Sequence, residues 1–84
     1  MPDTPDWTAD LDACGLLCPL PVLKTRKRIA ALPSGAVLRV QTTDPAAVLD
    51  MPHFCAEAGH EVIASGPGGD HPAGPVTVWL LRKR

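Results

Sequence analysis

Prolines at positions 19 and 21 follow directly on a cysteine, in Cys18-Pro19-Leu20-Pro21, and precede a segment with helical periodicity. Inside a helix a proline removes a hydrogen bond and clashes with the preceding turn, at a cost of roughly 3 kcal/mol. In the first turn that cost disappears, because those amides have no intrahelical partner. The pair therefore dictates where a helix begins, with Pro19 and Pro21 at its first and third positions and Cys18 as its N-cap. The spacing predicts a helix over residues 19–32, whose Val22, Thr25, Ile29 and Leu32 form a stripe able to rest on a sheet. Lys24, Lys27 and Arg28 project from the other side. Arg26 lies near the stripe, where its stem packs while the guanidinium reaches water.

The rest of the chain divides around this helix. Residues 7–14, WTADLDAC, alternate partially and read as a strand. The turn PSG (33–35) ends the helix, and AVLRVQTT (36–43) is a β-rich second strand. Asp44-Pro45 then pairs an N-cap candidate with a proline at the first helical position. The second helix passes through AAVLD, is interrupted or kinked at Pro52, resumes through HFCAEA and stops at Gly59. HEVIAS (60–65) is a third strand, GPGGDHPAGP (66–75) a mobile loop, and VTVWLLRK (76–83) the last strand. The order β-α-β-α-β-β specifies an α/β two-layer sandwich, a βαβαββ fold with two helices on one face of a four-stranded mixed sheet. The first two strands, joined through a helix, are expected to run parallel, and the last two antiparallel. No repeat or second domain is visible, so residues 1–84 read as a single domain, with residues 1–8 as an extended or disordered tail.

Composition narrows the function classes. The 84 residues are 45% hydrophobic and 20% charged, as in a globular protein, and can bury only about 60–65% of the unfolded surface. A net charge of −1 supplies no general attraction to nucleic acid or to a membrane surface. No apolar run approaches the length of a membrane span, and the acidic MPDTPD start is the opposite of a secretory n-region. Three cysteines, an odd number, do not suggest a disulfide framework, and a reducing cytoplasm is the natural compartment.

Cys18 carries the chemistry. A helix dipole favours a thiolate at its N-terminus by up to ~1–2 kcal/mol. Lowering a thiol pKa of about 8.5 by one unit raises the thiolate fraction near pH 7.5 from roughly a tenth to a half. The basic residues of the same helix push weakly in that direction. Cys18 thus reads as a rigidly presented nucleophile rather than a buried structural cysteine. Cys55, beside Phe54, reads as core packing. His53, His60 and His71 have no spacing typical of a zinc site, so no metal is expected. Asp44 reads only as a helix cap. Lys24, Lys27 and Arg28 are either a solvated face or a docking surface.

These residues resemble a known family. LDACGLLCPLPVLKTRK is similar to the N-terminal signature of the TusA/SirA-like sulfur-carrier proteins, whose hallmark is Cys-Pro-X-Pro at the first helix. TTDPAAVLDMPHFCAEAGHEV resembles the family's second-helix segment, with its Asp-Pro start, Asp-X-Pro step and Phe-Cys, and VTVWLLRK its last strand. The resemblance covers residues 11 to 83. It implies a cytoplasmic sulfurtransferase in which Cys18 accepts sulfane sulfur as a persulfide, with Pro19 and Pro21 as the supporting motif. A cysteine desulfurase or a rhodanese would be the donor. A downstream acceptor protein would receive the sulfur, feeding tRNA thiolation, molybdenum-cofactor enzymes or sulfur oxidation. The relay needs no metal or organic cofactor and no direct nucleic-acid or membrane contact, and a monomer suffices. Cys14 departs from the pattern, since many members carry a non-thiol residue there. It reads as a small apolar residue closing the strand, or as a second thiol exchanging with Cys18. The latter supports the alternative of a non-catalytic redox or regulatory interaction module using Cys14 and Cys18.

Overall fold

Six elements form in the expected order: β1 (Ala9–Ala13), α1 (Leu20–Ala30), β2 (Val37–Thr42), α2 (Ala47–Ala58), β3 (Glu61–His71) and β4 (Gly74–Arg82). The structure is a computed structural model and describes residues 7–84. The sheet order is β1-β2-β4-β3, with β1 parallel to β2 and β4 antiparallel to both of its neighbours. The order follows from connectivity. A helical crossover brings β2 beside β1, whereas the short β3–β4 connection forces a hairpin.

One core lies between the sheet and the two helices. Leu38 and Val40 of β2 and Trp79 and Leu81 of β4 face Ile29 of α1 and Met51, Phe54 and Cys55 of α2. The stripe on α1 behaves as its spacing requires: Thr25 and Ile29 are buried, and Val22 and Leu32 pack against the core. Two polar groups enter this interior and both are satisfied. Thr25 Oγ1 donates to the Pro21 carbonyl at 2.8 Å, and Trp79 Nε1 donates to Thr42 Oγ1 at 3.0 Å. At the far end of α1, Lys83 Nζ donates to the carbonyls of Ile29, Ala30 and Leu32 at 3.1, 3.2 and 2.8 Å. It supplies the partners that the last turn of a helix lacks.

Several boundaries differ from expectation. The glycine- and proline-rich segment 66–75 is not a loop. It continues β3 to His71, turns at residues 72–73 and opens β4 at Gly74. The ladder accommodates it through register shifts between Val62 and Ala64 and between Pro67 and Asp70. Gly68 is required there, because a Cβ would sit 2.3 Å from a methyl of Val78 and 3.0 Å from one of Val76. Pro67 is tolerated because β3 is an edge strand. The strand expected over 7–14 shortens to Ala9–Ala13, although Thr8 still donates its N–H to Val37 O at 2.7 Å and so belongs to the sheet rather than to a tail. Residues 1–6 of the expected tail lie outside the described residues.

Both helices start later than their prolines suggested. Pro19, not Cys18, is the N-cap of α1, and Pro21 stands at its second position. Leu20 N–H first closes a turn onto Leu17 O, and the first helical bond runs from Leu23 N–H to Pro19 O at 3.1 Å. The N-cap of α2 is Ala46, two residues past Asp44. A tight lead-in turn separates them, with Ala47 N–H donating to Asp44 O and Val48 N–H to Pro45 O. Pro52 does not interrupt α2, which runs unbroken through it. The carbonyl that Pro52 leaves free belongs to exposed Val48, where water can reach it.

Candidate functional site

Because β1 and β2 are parallel neighbours, the loops that leave their carboxyl ends emerge side by side. The open edge outside the carboxyl ends of parallel strands is where α/β sheets place their ligands. Here the first loop carries Cys14 to Cys18 and the second carries Thr43 and Asp44. Two hydrogen bonds tie them together: Gly15 N–H donates to Thr43 Oγ1 at 2.8 Å, and Cys18 N–H donates to Asp44 Oδ2 at 2.7 Å. Asp44 also accepts the Ala46 N–H on its other oxygen at 3.2 Å. One carboxylate thus fixes the backbone of the exposed cysteine and the lead-in to α2. Asp44 is therefore not the helix cap anticipated for it but the tie between the two loops.

Cys18 is exposed and borders an open cleft of about 260 Å³ between α1 and α2. Pro19, Val22 and Phe54 form its apolar wall, and Arg26, Asp50, His53 and Glu57 add charge. Arg26 lies over the Phe54 ring at 5.0 Å, so the guanidinium stacks on an aromatic face instead of simply reaching water.

The electrostatics of the thiol reverse the expectation from the helix dipole. The Cys18 thiol is raised above its ordinary pKa, first by hydrogen bonding to the Asp50 carboxylate, then by desolvation and by the negative charges of Asp50 and Asp44. Helix α1 does begin at this edge, but the acids that face the thiol come from the neighbouring helix and loop, and their charge opposes the dipole of α1.

The other singled-out residues separate into distinct surroundings. Cys14 is half-buried, and its thiol is pushed up to about 11 by desolvation and by Asp12, whose carboxylate also accepts the Cys14 N–H at 2.9 Å. Cys14 and Cys18 are both free thiols. Cys55 is part of the core, where burial pushes it up to about 11. Lys24, Lys27 and Arg28 do not line the Cys18 cleft. They rim a separate groove of about 470 Å³ floored by Leu11, Leu20, Leu23 and Ala31. The histidines are dispersed: His53 pairs with Glu57 at 3.4 Å when protonated, His60 accepts the Arg84 N–H, and His71 accepts the Ala73 N–H.

Several large aliphatic side chains are exposed, among them Leu17 and Leu20, which neighbour Cys18 and Pro19 in the chain. Leu17 is 67% exposed and Leu49 78%, with Leu20, Leu23 and Val48 about half exposed. Fold and site together define a small α/β protein that presents an exposed thiol, held through its backbone amide by Asp44, at the carboxyl edge of a sheet.

Comparison with known proteins gives that class its family. The family model "Sulfurtransferase TusA" matches residues 9–71. The chain is 39% identical over 75 residues to the "Sulfur carrier protein TusA" of Pseudomonas syringae pv. syringae, covering 89% of this chain and 84% of that one. It is 44% identical over 64 residues to the protein of that name from Allochromatium vinosum, covering 76% and 84%. The crystal structure of a SirA-like protein from Desulfitobacterium hafniense superimposes with a TM-score of 0.67 at 22% identity, covering 92% of this chain and all of that one. The protein belongs to the TusA family.

Proposed function

We propose that this protein is a sulfur carrier that accepts sulfane sulfur on Cys18 as a persulfide and delivers it to an acceptor protein. The observation that carries this reading is the setting of Cys18: an exposed thiol at the edge of an open cleft, with its amide anchored by Asp44 at 2.7 Å. Loading is a redox-neutral exchange. The Cys18 sulfur attacks the outer sulfur of a donor cysteine persulfide, a new S–S bond forms as the donor's bond breaks, and the donor cysteine leaves as a thiolate that takes up the proton. Delivery is the same exchange with an acceptor thiol.

The open cleft is too shallow to enclose a small molecule, so recognition rests on protein docking. The donor is a cysteine desulfurase or a rhodanese, and the basic rim of Lys24, Lys27 and Arg28 contributes to the docking surface. The relay runs in the cytoplasm, where Cys18 stays reduced, and the protein acts as a stoichiometric sulfurtransferase rather than a high-turnover enzyme.

The test is an intact-mass measurement after incubation with a cysteine desulfurase and cysteine. The parent and the Cys14→Ser and Cys55→Ser variants are expected to gain one sulfur. Cys18→Ser is expected to gain none, and loading of that variant to the parent level would refute the reading.

A further inference from the structure

Two carboxylates line the cleft beside Cys18, Asp50 and Glu57, and Asp50 is the one that makes no ion pair among the described residues. Asp44 already holds two amides, Arg26 stacks on Phe54, and Glu57 pairs with His53. Asp50 is half-buried in the first turn of α2, faces the same cleft, and forms no ion pair among the described residues.

We propose that Asp50 is a specificity-determining residue that restrains the empty Cys18 thiol until a docked donor protein brings a cation against it. The inference rests on the sulfur-carrier reading. Its charge logic is direct. A carboxylate that lines the same cleft as the thiol favours the S–H form by opposing a second negative charge nearby. The groups facing the sulfur from the packed elements are Asp44 from the β2–α2 loop, Arg26 from α1, and Asp50, His53 and Glu57 from α2. Only Asp50 and Asp44 act appreciably on it, and both oppose ionisation. A donor lysine or arginine seated in the cleft would pair with Asp50, release the thiol and leave the anionic sulfur beside a cation. A peroxide brings no such cation, and glutathione persulfide, whose two carboxylates outweigh its ammonium group, brings no net positive charge. The empty carrier would therefore react sluggishly with small electrophiles and promptly with its own donor.

Two measurements on the full chain test this. In the first, iodoacetamide labelling of the Cys18 peptide is followed by mass spectrometry across pH. Asp50→Asn is expected to shift the labelling midpoint to lower pH and to raise labelling at pH 7.5 by roughly three- to tenfold. Asp50→Glu, which keeps the charge, should retain most of the parent profile, and Asp50→Ser provides a second neutral variant if the amide folds poorly. In the second, loading from a cysteine desulfurase is compared with loading from glutathione persulfide. The neutral variants should load faster from glutathione persulfide and lose much of the parent's preference for the protein donor. An unchanged labelling midpoint, or an unchanged donor preference, in a folded neutral variant overturns the proposal. A parent that loads from neither donor would defeat the carrier reading instead, while the labelling profile would still decide whether Asp50 restrains the thiol.

Discussion

The Asp44 carboxylate accepts the Cys18 backbone N–H at 2.7 Å, across 26 residues of sequence, and so couples the second parallel strand's loop to the first. Hydrogen bonds to a charged group are shorter and stronger than neutral ones, and this one is at the short end. Asp44→Ala is expected to cost about 1 kcal/mol of stability, since the bond is solvent-accessible. The loss in sulfur loading should be larger than that change implies, because the cysteine loses its anchor. Asp44→Asn keeps one acceptor oxygen and should recover part of the loading rate. Urea unfolding and loading kinetics on the same samples separate the two effects, and parallel losses in both would reduce Asp44 to a structural role.

The prolines flanking the thiol are expected to act on transfer more than on folding. Pro19 caps α1 and Pro21 is buried at its second position, where neither needs an amide hydrogen. Replacing both with alanine should leave the melting temperature within a few degrees, because alanine is the better helix former, although burial of Pro21 sets a small packing loss against that gain. Sulfur transfer from a fixed desulfurase should slow clearly. Equal rates in parent and double variant would show that the motif only starts the helix.

Reversing Lys24, Lys27 and Arg28 to glutamate tests the second groove. These side chains are exposed, so each change should cost under about 0.5 kcal/mol. If the basic rim steers a donor, loading should fall at low salt and its salt dependence should flatten. A parent whose loading rate is the same at low and high salt would exclude the groove from recognition.

Gly68→Ala tests the glycine-rich part of the hairpin. The added methyl would lie 2.3 Å from Val78 and 3.0 Å from Val76, against strand residues of β4 rather than the tip of a flexible side chain. Overpacking of this kind costs typically 1–3 kcal/mol. A lowered urea midpoint with little change in Cys18 loading is the expected result, since the hairpin does not supply the thiol. An unchanged midpoint would mean that the strand has room to shift.

Most of the architecture was legible from periodicity and proline placement. The α1 stripe from Val22 to Leu32, the parallel pairing of β1 with β2 and the exposed Cys18 all follow from local rules. The hairpin was missed because glycine and proline ordinarily punctuate chains, and only the tertiary approach of Gly68 to Val78 explains their presence in a strand. Asp50 was hidden for a related reason. Nothing in its own segment points at Cys18, and the two meet only because α1 and α2 lie on the same face of the sheet. The electrostatic expectation failed at the same place, since a dipole is a property of one helix while the opposing charges come from two other segments. Asp44 was visible as a turn former, and the parallel neighbours β1 and β2 were the signal that its loop would reach the cysteine.

Lys83 grips the last carbonyls of α1 and Asp44 holds the amide just before its first turn, so the helix behind Cys18 is clamped at both ends by other parts of the sheet layer. Many group carriers work as swinging arms, with a long tether ferrying cargo between stations. On the carrier role proposed for it, Cys18 has no such tether among the described residues: its sulfur would sit at the tip of a stiff post, and all travel would belong to whole molecules diffusing together and apart. A partner that exchanges sulfur with Cys18 would then have to offer a recess deep enough to admit the thiol and the exposed Leu17 and Leu20 beside it.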